Sequence, residues 1–102
     1  GTHGYVSPEV LMYKRYFHNT DVWSLGIVLY GLLTDKPLFT QTKNFLTSLQ
    51  ELQKFQLANI TEELDNLDEN AADLLKNMLQ KNPSSRISIK EILKHEFITR
   101  IR

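Results

Sequence analysis

The sequence predicts an all-α chain, and three observations carry that prediction. Apolar residues in the second half recur at helical spacing, and residue types suited to helix ends stand just ahead of those stripes. No segment alternates apolar and polar residues between turns, as a half-buried strand does. With 102 residues there is room for one domain, and no Pro-, Gly- or Ser-rich linker divides it.

The elements follow in order. Pro8 fits a first helical position, where its missing N–H is not needed, so a short helix is expected through about Met12. The segment from about Thr20 to Leu33 is of another kind. Val22, Trp23, Leu25, Ile27, Val28, Leu29, Tyr30, Leu32 and Leu33 wrap every face of it. A helix apolar all round belongs inside a larger body, so a buried central helix near 20–34 is expected. Gly26 and Gly31 each cost about 1 kcal/mol there relative to Ala, which implies close approach by neighbours. About ninety remaining residues would struggle to cover such a helix on all sides, so part of its natural cover is expected to lie elsewhere.

A weaker helix is expected from about Thr42 to Phe55, carrying Phe45, Leu46, Leu49 and Leu52. Ala71, Leu74, Leu75, Met78 and Leu79 then follow i, i+3, i+4, i+7, i+8. Asp68 can cap that helix, and Asn82-Pro83 is expected to stop it. Ser88 with Glu91 three residues on forms a capping box for the last helix, whose stripe is Ile89, Ile92, Leu93 and Phe97. Lys94 and His95 are read as cations at its negative end.

Composition excludes several functions. Twelve Lys and Arg balance twelve Asp and Glu, so no global field recruits nucleic acid or anionic lipid, and neither is an expected partner. Charge is nonetheless uneven. Six acids and no base lie between Thr61 and Asp73, while seven bases face two acids from Lys76 onward. Solvated helix faces explain this most simply, and a docking surface for a charged peptide is the alternative. Having no cysteine removes disulfides, thiolate nucleophiles and Cys-type zinc sites, and the expected compartment is intracellular, in the cytoplasm. Val22–Leu33 is shorter than the roughly 18–20 residues that cross a bilayer, and no signal peptide is recognisable. Trp23, Leu25, Gly26 and Tyr30 have the wrong spacing for a helical repeat, and nothing similar recurs. The chain opens at Gly1 inside what reads as a motif, with no initiating Met, and is expected to be part of something longer.

A search for catalytic groups is mostly negative. His3, His18 and His95 are far apart, and none belongs to a pair spaced to hold a metal. There is no glycine-rich phosphate loop and no G-x-S-x-G. Paired carboxylates occur only in the acidic run.

Three ordered motifs remain. Gly1-Thr2-His3-Gly4-Tyr5-Val6-Ser7-Pro8-Glu9 resembles G-T-x-x-Y-x-A-P-E, the close of the activation segment of eukaryotic protein kinases. Asp21-Val22-Trp23-Ser24-Leu25-Gly26 is similar to the D-x-W-S-x-G that opens that family's central helix. Asn82-Pro83-Ser84-Ser85-Arg86 and Ile92-Leu93-Lys94-His95-Glu96-Phe97 resemble its D-P-x-x-R and L-x-H-P-F segments. The resemblance covers essentially the whole chain. It implies an incomplete kinase domain over residues 1–102, the distal part of the helical C-terminal lobe, of Ser/Thr type. The tail and central helix look most like calcium/calmodulin-dependent-type kinases.

What the resemblance implies for single residues follows. Thr2 matches a threonine that contacts the catalytic loop; otherwise it is a turn hydroxyl. Gly1, Thr2, Tyr5 and Val6 match the segment that positions the protein substrate, with core packing the plainer role for Tyr5 and Val6. Asp21 matches the aspartate that braces the catalytic loop, the alternative being a self-capping acid. Glu9 and Arg86 match a buried ion pair clamping the activation segment onto the lobe. Without the family, Glu9 is a first-turn acid favoured by the helix dipole. Ser7, Asn82 and Glu96 stand where the family more often has Ala, Asp and Pro.

The implied function is ATP-dependent phosphorylation of Ser or Thr hydroxyls of a protein substrate by the intact parent. ATP and Mg are the implied cofactors of that parent, with none bound and no catalytic residue supplied by these residues, since the motifs that hold them precede Gly1 in the family. The alternatives are a pseudokinase lobe acting as a protein-interaction scaffold, and a freestanding helical module.

Overall fold

The computed structural model describes residues 3–101, and among them every regular element is helical. In chain order these are α1 (Pro8–Tyr13), α2 (Thr20–Thr34), α3 (Phe45–Lys54), a 3₁₀ turn (Leu57–Ile60), α4 (Thr61–Asp65), α5 (Glu69–Met78), α6 (Ile89–Ile92) and α7 (Glu96–Arg100).

Local chemistry sets their ends. Pro8 opens α1, and Lys14 closes it in the left-handed region at φ 53°. The Thr20 hydroxyl accepts the Phe17 N–H at 2.7 Å and fixes the entry to α2. Asn44, not Thr42, caps α3: its side-chain oxygen accepts the Thr47 N–H, and Thr42 only holds Asn44 in place. The helix is therefore shorter at its start than expected. Asp68 caps α5 through the N–H groups of Asn70 and Ala71. That helix ends at Met78, ahead of the expected Asn82-Pro83 stop, because the chain has already left helical geometry at Leu79 (φ −99°, ψ 34°).

The tail departs further from expectation. The Ser88–Glu91 capping box is present, yet α6 lasts one turn. His95 takes extended geometry, and its Nδ1 accepts the Phe97 N–H, so it starts α7 instead of ending one long helix. Its Nε2 lies 2.7 Å from Asp73 on α5. Ile92 is buried, but Ile89 and Leu93 of the expected stripe are exposed.

The core forms where α2 meets α5. Trp23, fully buried, sits among Phe39 and Phe55, with ring centroids 5.4–6.2 Å apart across the trio. Such aromatic contacts add about 0.5–1.5 kcal/mol each beyond area burial. Val22 points into a second cluster with Leu74, Met78 and Ile92. Gly26 is the close approach: a Cβ there would lie 3.0 Å from Leu79 Cδ2 and Met78 Cβ. Gly31 is not, since its nearest contact would be an ordinary 3.8 Å to the Lys36 carbonyl, which corrects the expectation for that residue.

Cover on α2 is one-sided. Val22, Trp23, Gly26, Ile27 and Tyr30 are buried, while Asp21, Leu25, Val28 and Leu32 are exposed. The latter four follow i, i+4, i+7, i+11 and share one face. No helix of the described residues is long and apolar enough to cross a membrane.

Candidate functional site: a clamped segment beside the central helix

The start of α1 and the loop between α5 and α6 meet at a buried ionic junction. Arg86 contacts Glu9 bidentately, Nη1 to Oε2 at 2.6 Å and Nη2 to Oε1 at 2.8 Å, and both side chains are at most 3% exposed. The guanidinium uses all its donors. Nε donates to the Gln80 carbonyl, Nη1 also to that of Asn19, and Nη2 also to that of Lys81. Its plane also lies over Trp23, 5.5 Å from the ring centroid. Burial pushes the Glu9 carboxyl up. Hydrogen bonds from Arg86, its own backbone and Thr20 outweigh that and hold it below the ordinary value of 4.5.

Two further residues complete the junction. Asn19 is 1% exposed, and its amide donates to the carbonyls of Pro83 (2.7 Å) and Arg86 (2.9 Å). The Thr20 hydroxyl donates to Glu9 Oε2 at 2.9 Å. Asn19 ties the start of α2 to the loop after α5 across 64 and 67 positions of sequence. Sequence reasoning gave it no role, because a lone Asn before a helix looks like any turn residue.

The junction anchors the segment that precedes α1. Ser7 is buried, and its hydroxyl has no partner among the described residues, so the commoner Ala would lose nothing there. Next to it, the Tyr5 carbonyl accepts the Ser24 hydroxyl of α2. The Tyr5 ring is exposed and Val6 is half-buried. Gly1 and Thr2 lie outside the described residues. Asp21 is exposed at the first turn of α2 and accepts the Tyr16 hydroxyl, which raises the Tyr16 pKa above its ordinary value. Glu9 and Arg86 thus touch directly, Tyr5 reaches α2 through Ser24, and Asp21 stands apart from the junction. Among the described residues no three His, Asp or Glu gather where a metal ion could be held.

The segment before α1 is thus locked to the head of a central helix by a buried Arg–Glu pair whose Arg lies in the loop between α5 and α6. The protein kinase domain model matches residues 1–98, and the chain belongs to that family. Among its relatives is serine/threonine-protein kinase 17A of Oryctolagus cuniculus, 36% identical over 97% of this chain and 25% of that protein. An Aurora kinase of Yarrowia lipolytica is 34% identical over 100% of the chain and 26% of its own length. Serine/threonine-protein kinase PLK4 of Drosophila grimshawi is 36% identical over 98% of the chain and 12% of its own length. The chain therefore spans about a quarter or less of these relatives. Two of the three are serine/threonine-protein kinases by name and the third is an Aurora kinase, and they do not single out one subgroup.

Proposed function

We propose that the intact protein is an ATP- and Mg-dependent protein serine/threonine kinase. In this reading residues 1–102 are the distal part of its helical lobe, from the end of the activation segment to the last lobe helix. Their work is to position the protein substrate and brace the catalytic loop. One observation carries the reading: the uncovered face of α2 is apolar along Leu25, Val28 and Leu32 and carries Asp21 at its head. A missing body laid on that face would bury the three side chains and meet the Asp21 carboxylate at the helix start. There the carboxylate can accept backbone N–H groups of an incoming loop.

Gly1, Thr2, Tyr5 and Val6 would form the rest of the substrate-facing strip, with Glu9–Arg86 holding it. ATP would supply the transferred phosphoryl group, and no residue described here is assigned to the nucleotide or to Mg. Phosphoryl transfer depends on positioning, so a brace can act without touching phosphate.

The test is phosphate transfer by the intact protein to a Ser/Thr peptide. Asp21→Asn should lower kcat by about 100-fold with little change in peptide KM, the signature of a misplaced loop. Asp21→Asn at wild-type kcat would remove the bracing role. No transfer by a folded, nucleotide-supplied intact protein would instead favour the scaffold alternative.

A further inference from the structure

A cleft of about 690 Å³ opens beside the junction, between α1, the connection to α2 and residues 81–84. That is the size range of sites that take a small ligand or a few side chains. Its apolar surface comes from Pro8, Met12, Phe17 and Pro83, and Phe17 is 41% exposed.

The charged groups that line it without an ion-pair partner among the described residues are cations. Arg15 has no ion-pair partner among the described residues. Lys81 is half-buried and donates only to the Gln53 carbonyl, and burial pulls its pKa below the ordinary value. His18 also lines the cleft. The one carboxylate lining the cleft, Glu9, has both oxygens on Arg86. Asn82 completes this pattern. It lines the cleft at the position where the D-P-x-x-R motif has Asp, and its side-chain oxygen accepts the Ser84 N–H at 2.9 Å. An Asp could accept the same bond, so the amide keeps the turn and removes a negative charge from the wall.

We propose that this cleft docks an acidic segment of a partner protein, with one bulky apolar side chain seated on Met12, Phe17 and Pro83. Flanking carboxylates pair with Arg15 and Lys81, and His18 offers a further N–H. Charge complementarity selects this occupant, because a basic or neutral peptide would leave Lys81 and Arg15 uncompensated. The inference uses the family motif only for the comparison at Asn82 and does not rest on kinase activity.

Fluorescence anisotropy of the intact protein with a labelled peptide, Gly-Glu-Asp-Phe-Asp-Glu-Gly, tests it. Saturable binding should weaken between 50 and 300 mM salt, on the order expected for screened rim charges. Replacing the peptide's Phe by Ala should cost about tenfold, and replacing its acids by Lys should abolish binding. Asn82→Asp and Lys81→Gln should each weaken binding about threefold to tenfold with the melting temperature little changed. No saturation below about 1 mM, equal binding by both variants, or binding of phosphatidylserine vesicles in place of the peptide would overturn the proposal.

Discussion

On one side of α2, Val22, Trp23, Ile27 and Tyr30 are at most 4% exposed; on the other, Leu25, Val28 and Leu32 are between 45% and 77% exposed. Both sides are apolar, and among the described residues only the first is covered, by α5 together with Phe39 and Phe55. The difference separates two meanings of an apolar residue. On the closed side it records packing completed within these residues. On the open side, in the reading proposed above, it marks packing that other protein would complete, because monomers rarely leave a contiguous apolar face in water without a use for it.

The largest expected effect lies on the closed side. Trp23→Ala removes the ring shared by Phe39, Phe55 and Arg86, and should cost about 3–5 kcal/mol in denaturant unfolding of the intact protein. A loss under about 1 kcal/mol would mean that the closed face is not a core. The smallest lies on the open side. The 102 residues alone should bind an apolar dye, and Leu32→Ser should reduce that signal while helix content holds and stability moves within about 0.5 kcal/mol. Dye binding unchanged by the substitution would show that the open face is not the exposed surface.

How much of this was legible in the sequence varies by element. Long stripes with a strong cap were readable, as at Asp68 and α5, because periodicity and capping report the same helix. The 3₁₀ turn and α4 were not, since four or five residues complete too few turns to show a period; only Ile60 and Leu64 are buried in them. His95 misled because a basic residue after an apolar stripe has two uses, and only the fold reveals that Asp73 stands opposite it. At the junction, Glu9 and Arg86 were named through the motifs they belong to. Asn19 and Thr20 were not, as their partners lie in a loop more than sixty residues away or on a neighbouring helix.

A double-mutant cycle of Glu9→Gln and Arg86→Gln in the intact protein tests most directly that α1 is clamped to the loop between α5 and α6. Each single change leaves a buried partner unmatched and should cost about 3–5 kcal/mol, and the pair should show a coupling above about 1.5 kcal/mol at pH 7. Because Glu9 is held below its ordinary 4.5, this stability is present above that pH and lost as the pH falls through the lower folded-state value, so the coupling should fade in acid. Additive losses within about 0.5 kcal/mol, with no change between neutral and acid pH, would contradict the clamp.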